Sequence, residues 1–169
     1  EHEYIKLTAS EKVHEVALLS PSSKTLVKST KNAIYDKSWK VRHSIAKQID
    51  SLIKGFGKKI SSTHILDDLS KLLKDSEGEV RQEAVHSFTK CLSLLDKKKL
   101  EEYLLPTLKE TYKDDYANYK EGVAHSLCEL ASLLDDDNIT NSITPILIEL
   151  LKDENSKVKI KVVEGLVKM

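Results

Sequence analysis

Four aspartates recur at intervals of 39 residues: Asp36, Asp75, Asp114 and Asp153. Each brings the same neighbours with it. Five residues on comes Val41, Val80, Tyr119 or Val158, and one further comes a cation, Arg42, Arg81, Lys120 or Lys159. Apolar columns follow in register, Ile45/Ala84/Val123/Val162 and Ile49/Phe88/Leu127/Leu166. Two more precede it, Leu26/Ile65/Leu104/Ile143 and Thr30/Leu69/Leu108/Leu147. Pro106 and Pro145 each stand eight residues ahead of their aspartate. Such self-similarity marks a repeat architecture, in which a unit too small to bury its apolar face alone stacks on its neighbours.

Within a unit the spacing is helical. Val80, Ala84, Phe88, Cys91, Leu92 and Leu95 share one face, as do Ile65, Leu66, Leu69, Leu72 and Leu73 before them. Ser76-Glu77-Gly78 is a turn signal between the two runs. Each unit therefore reads as a helix A, a tight turn opened by Asp, and a helix B. The pattern predicts helices over 3–19 (a B helix alone), 22–35, 38–54, 62–74, 77–95, 99–113, 116–134, 140–152 and 155–169, with Gly55 and Gly57 closing the first complete pair. The units run 1–20 (partial), 21–57, 58–96, 97–135 and 136–169. The expected class is all-α, an α-solenoid of stacked antiparallel helix pairs. The chain opens in mid-repeat and closes at Met169 inside a B helix, with no polar capping unit, as expected for a segment of a longer array.

Charge narrows the function. Lys+Arg and Asp+Glu number 27 each, whereas a dedicated nucleic-acid or membrane-surface binder is usually basic. The balance hides an asymmetry: residues 36–60 carry +5 and residues 101–140 carry −7. Cys91 and Cys128 show no ligand or CxxC spacing and read as reduced, buried thiols. With no apolar run approaching 18 residues and no signal-like start, the expected compartment is the cytoplasm, with the nucleus also open. No Gly-rich phosphate loop, HExxH or GxSxG is present, so no catalytic residue, cofactor, metal or small-molecule substrate is expected. His86 and His125, one period apart opposite the apolar face, read as solvated groove histidines without a third ligand. His125 and Cys128 share a helical face but lack an orienting acid. Lys97-Lys98-Lys99 and Asp135-Asp136-Asp137 read as solvated inter-repeat linkers.

The succession of Pro, Asp eight residues later, then Val and Arg resembles HEAT repeats over nearly the whole chain. That resemblance implies a hydrogen-bonded ladder between adjacent turns, formed by Asp36, Asp75, Asp114 and Asp153 with Arg42, Arg81, Lys120 and Lys159. Arg offers two parallel donors where Lys offers a point charge, so the last two rungs are expected to be weaker. More narrowly, "DKSWKVRHSIAKQI", "LLKDSEGEVRQEAVHSF", "YLLPTLKE" and "LIELLKDENSKVKIKVVEGL" resemble central repeats of the scaffolding A subunit of protein phosphatase 2A. The resemblance implies a chain without catalytic activity. Its intra-repeat turns would form a ridge that docks regulatory B-type subunits, with the catalytic subunit held by C-terminal repeats of a full-length scaffold. The ridge positions are Lys37, Ser38, Trp39 and Lys40; Ser76, Glu77 and Glu79; Asp115, Tyr116 and Asn118; and Glu154, Asn155 and Lys157.

Trp39, the sole tryptophan, falls at one of these turns among Lys37, Ser38 and Lys40, where a stiff apolar surface with one N–H donor suits a partner contact. The opposing reading packs it back on the neighbouring turn. The basic stretch around it would steer an acidic partner. Tubulin-binding HEAT arrays also use a Trp and basic turns, but only the first turn here is basic. A HEAT-like DNA alkylation-repair glycosylase would need a cationic groove, which the acidic stretch from Glu101 opposes.

Overall fold

Helix pairs stack in sequence order, and each layer covers the apolar columns of the one before. The structure, a computed structural model, describes residues 2–168; Glu1 and Met169, the first and last residues of the units expected over 1–20 and 136–169, lie outside these residues. The first layer is a lone B-type helix bent into α1 (His2–Glu11) and α2 (Val13–Leu19). The second pairs α3 (Lys24–Ile34) with α4 (Trp39–Ala46) and α5 (Ile49–Ile60). The A helix of the third begins within α5 after Gly57, passes through a π turn, Ser61–Ile65, continues as α6 (Leu66–Ser70) and tightens to 3₁₀ over Lys71–Lys74; its B helix is α7 (Gly78–Thr89). In the fourth, α8 (Lys97–Lys99), a π turn Leu100–Leu104 and α9 (Leu105–Thr111) precede α10 (Ala117–Ala131). The fifth repeats this with α11 (Asp136–Asn138), a π turn Ile139–Ile143, α12 (Thr144–Leu150) and α13 (Ser156–Leu166). B helices pack on B helices, α1 on α4, α4 on α7, α7 on α10 and α10 on α13. The chain is an α-solenoid, with no strand among the described residues.

The columns explain why the layers hold. Ile45, Ala84, Val123 and Val162 are all fully buried, as are Ile49, Phe88 and Leu127 in the next column. Leu166, last of that column, is 44% exposed. The polar members have partners. Thr30 donates its hydroxyl to the Leu26 carbonyl at 2.9 Å, and the Tyr119 hydroxyl pairs with Thr111 Oγ1 at 2.6 Å. Adjacent B helices meet closely through small residues. A Cβ at Gly122 would stand 2.3 Å from Val85 Cγ1, and one at Gly165 would stand 2.3 Å from Cys128 Sγ.

Three expectations need correction. Continuous helices over 3–19 and 38–54 are each broken, at Lys12 and at Lys47–Gln48. At the second break side chains of this layer and the next supply what the helix loses. Gln48 Nε2 donates to the Ser10 and Ser44 carbonyls at 3.0 and 2.7 Å, and the Asp50 N–H donates to Ser87 Oγ at 3.1 Å. Lys97–Lys99 and Asp136–Asp137 are not free linkers but first turns of A helices. Asp135 Oδ1 accepts the Asn138 N–H at 2.9 Å as an N-cap, and Lys97 Nζ reaches Asp135 at 3.0 Å. Gly57, at φ 75° and ψ 162°, turns the chain from the B helix of one layer into the A helix of the next, a conformation that a Cβ would strain.

Phe88→Ala should therefore lower unfolding free energy by about 3–5 kcal/mol in chemical denaturation, while Leu166→Ala, two layers on in the same column but half exposed, should cost under about 1 kcal/mol. Equal losses at the two positions would show that burial in the stack does not follow the repeat.

Candidate protein-docking surface

Each turn aspartate carries two jobs on one carboxylate. One oxygen closes its own turn: Oδ1 of Asp36, Asp75, Asp114 and Asp153 accepts the N–H two residues on, from Ser38, Glu77, Tyr116 and Asn155, at 2.8–3.0 Å. The carboxylate also receives a cation from the layer before. Arg42 donates through Nε and Nη2 to the two oxygens of Asp75 at 2.6 and 2.8 Å, while its Nη1 donates to the Asp36 carbonyl at 2.9 Å. Arg81 repeats this one layer on. Its Nη2 donates to Asp114 Oδ1 at 2.8 Å and its Nη1 to the Asp75 carbonyl at 2.7 Å. Its Nε lies 2.7 Å from Asp114 Oδ2 but without hydrogen-bond alignment, so that contact is ionic only. Lys120 reaches Asp153 with a single contact at 2.5 Å. Asp36 is served from the first layer by Lys6 at 2.7 Å. Lys159 has no carboxylate partner among the described residues.

The electrostatics follow the geometry. Burial pushes the Asp75 carboxyl up, but Arg42, the Glu77 N–H and Ser76 outweigh it and hold the group below the usual carboxylate range. Lys6 and the Ser38 N–H hold Asp36 down in the same way. Arg42 is stabilised in its charged form by Asp75.

On this frame the predicted ridge splits into two sets. Lys37, Trp39, Lys40, Ser76, Glu79, Asp115, Asn118, Glu154 and Lys157 are exposed, whereas Ser38, Glu77, Tyr116 and Asn155 are half-buried. The second set serves the turns. Tyr116 lays its ring against Gly78, where an added Cβ would come within 2.9 Å of it, and Asn155 caps α13 through the Lys157 N–H at 2.9 Å. Trp39 opens α4 and is 40% exposed, its ring edge-on to His43 with centroids 6.0 Å apart. It therefore packs on its own helix and still presents a large apolar face. It lines a groove of about 550 Å³ together with His43, Ser44 and Gln48 and the charged Lys40, Lys47, Glu11 and Glu79.

Sequence reasoning missed a second family of inter-layer bridges. Lys31–Asp68 (2.8 Å), Lys74–Glu110 and Lys113–Glu149 (3.3 Å) tie successive A helices, and Lys58–Asp96 (2.6 Å) and Lys97–Asp135 (3.0 Å) tie the far edge. Opposite charges spaced 36–38 residues apart were the available signal. The remaining groups offer little chemistry. Burial pushes the Cys91 thiol up to about 12 and Cys128 up to about 11, far from a reactive thiolate. His86 is exposed, and His125 Nε2 lies 3.5 Å from Glu129. Among the described residues no group of three or more His, Cys, Asp or Glu side chains could hold a metal ion, and no helix is long and apolar enough to cross a membrane.

Comparison with known proteins places this arrangement. A family model described as "PIK3R4-like, middle domain" matches residues 7–132, more than half of the chain. The chain belongs to the PIK3R4-like middle-domain family. No curated protein matches it. Among solved structures, Cex1p superposes with a TM-score of 0.76 at 18% identity, over 97% of this chain and 33% of that one. The chain thus spans about a third of Cex1p. A designed armadillo repeat protein in complex with the peptide (KR)4 superposes at 0.63 and 19% identity, over 94% of this chain and 73% of that one. An engineered protein gives 0.64 and 17%, over 95% and 71%. At these identities the likeness is one of fold. The PIK3R4-like assignment and the repeat-protein neighbours support a helical-repeat scaffold and carry nothing specific to the phosphatase 2A A subunit.

Asp75→Asn should destabilise the chain by about 1–3 kcal/mol at pH 7 by leaving Arg42 poorly paired. Because the Asp75 pKa is depressed, its contribution is fully present above the unfolded value of about 3.9 and is lost as pH falls through the lower folded value. The difference between wild type and variant, read from urea unfolding, should therefore shrink on going from pH 7 to pH 3. A difference independent of pH would show that the carboxylate charge is not what holds the rung.

Proposed function

We propose that this chain is a non-catalytic docking scaffold whose partners bind along the row of intra-repeat turns, with Trp39 as the anchor. The observation that carries this reading is an exposed tryptophan on a turn whose backbone is tied on both sides. Arg42 holds the Asp36 carbonyl behind it and the Asp75 carboxylate ahead. A rigid, half-exposed aromatic at such a place loses little conformational freedom on binding, which is the physical basis of an interface hot spot. Layers fixed at constant spacing then present Lys40, Glu79, Asn118 and Lys157 as a line of polar contacts around that anchor.

The finer form of the proposal comes from the Lys-Ser-Trp-Lys-Val-Arg turn: the partner is a regulatory B-type subunit of phosphatase 2A, and a longer chain would also hold the catalytic subunit. Tubulin is the runner-up partner. Membership of the PIK3R4-like family supports the scaffold reading at the coarser level and leaves the partner to experiment.

Calorimetric titration of this chain with a purified B-type subunit, wild type beside Trp39→Ala, tests both levels. The account expects at least a tenfold loss of affinity, about 1.4 kcal/mol or more, in a variant whose helicity is unchanged. Binding that survives the truncation would remove Trp39 from the interface. A wild type that ignores the B-type subunit but binds tubulin would replace the phosphatase form with the runner-up.

A further inference from the structure

The edge where one layer hands the chain to the next changes its charge along the stack. Between the A helices of the third and fourth layers lies a groove of about 620 Å³, lined by Lys58, Lys59 and Lys99 with Ser62, Tyr103 and Asp96. Lys58 reaches Asp96 across it at 2.6 Å. Lys59 is exposed and has no carboxylate within ion-pair distance among the described residues. Lys99 is held 4.8 Å from the centroid of the Tyr103 ring and 2.9 Å from Glu102. Thr63, also on the groove, spends its hydroxyl proton on the Lys59 carbonyl at 2.7 Å. Ser62 Oγ, by contrast, is buried and has no hydrogen-bond partner among the described residues.

The repeat supplies its own control. One layer on, the same register holds Lys97 and Lys98 with Glu101, Glu102 and Asp135, so three lysines against one carboxylate become two against three. One layer back it holds a single lysine, Lys24. The fold therefore does not require this set of donors, which belongs to one boundary as Trp39 belongs to one turn.

We propose that the groove binds the phosphate monoester of a phosphorylated serine or threonine carried on an extended segment of a partner protein. Such a group brings close to two negative charges and three acceptor oxygens at neutral pH. The lysines of the groove exceed its carboxylates by two, and Lys59 and Ser62 hold donors that the fold leaves unspent. The Lys58–Asp96 pair is more than half exposed on both sides, and an exposed pair is worth little, so Lys58 can turn a further proton to the ligand. Charge along the same edge selects the kind of partner. Asp135, Asp136 and Asp137 stand exposed at the next boundary, about 8–10 Å on at the usual spacing of packed helices. They repel a nucleic-acid strand, which brings a phosphate at every step, and an anionic membrane surface. A phosphorylated segment with Lys or Arg about three extended residues from the phosphate satisfies both charges.

Fluorescence anisotropy with a labelled peptide, Arg-Ala-Ala-phosphoserine-Ala-Ala-Arg, beside its unphosphorylated form tests this. The phosphorylated peptide should bind at least tenfold tighter. Lys59→Glu should weaken it at least tenfold and Ser62→Ala about threefold, with helicity and unfolding midpoint unchanged. Lys28→Glu makes the same charge change at an exposed lysine of α3 outside the groove, and should alter affinity less than about twofold. Equal binding of the two peptides would overturn the inference, as would full affinity in both Lys59→Glu and Ser62→Ala, or a loss in Lys28→Glu equal to that in Lys59→Glu. Co-sedimentation with phosphatidylserine vesicles by a chain that ignores the phosphorylated peptide would replace the protein partner with a membrane.

Discussion

A carboxylate that serves two turns at once is the interaction on which the rest of this structure depends. Within its own turn each aspartate accepts the N–H that opens the B helix, and across the layer boundary it accepts the cation of the helix before. Neither contact alone would set the spacing of layers. Apolar columns supply most of the cohesion, but burial is non-directional and would tolerate sliding of one helix pair along the next. A charge-assisted, two-toothed contact of Arg42 on Asp75 allows one register only. The strength of that restraint falls along the chain, from two aligned donors at Arg42 to one at Arg81 and a single lysine contact at Lys120. The stack is thus pinned best at the boundary between the layer of Trp39 and the next, where Arg42 grips Asp75.

This gradient connects fold to function. Under the proposed function a docking site works by holding its contacts still, and the exposed aromatic opens the helix whose Arg42 makes the two-toothed contact. Farther along, Tyr116 folds its ring back over Gly78 and serves the stack instead. The two aromatic turn residues therefore do opposite things, and glycine one layer back is what lets the second one lie flat.

Much of this was legible in the sequence because a solenoid repeats its constraints. A residue needed at every layer boundary appears every 39 positions, so Asp36 to Asp153 and the buried columns stand out without any knowledge of the fold. What was not legible is what does not repeat or has no residue-type signature. The break at Lys47–Gln48 depends on Ser87, a residue 37 positions away that accepts the freed Asp50 amide. The π turns at Ser61–Ile65, Leu100–Leu104 and Ile139–Ile143 do recur in register, but Asp67 stands in the first where Pro106 and Pro145 stand in the others, so no single residue announces them. At Trp39 the sequence posed partner contact against packing on the neighbouring turn; the ring instead lies edge-on to His43 of its own helix and stays 40% exposed.

The most direct measurement of the central claim is a double-mutant cycle on Arg42 and Asp75, repeated on Lys120 and Asp153, with unfolding free energies of the single and double alanine variants. The account predicts a coupling of about 1.5–3 kcal/mol for the arginine rung and a clearly smaller one for the lysine rung. A coupling within about 0.5 kcal/mol of zero at Arg42–Asp75 would mean that the ladder accompanies the stacking without restraining it.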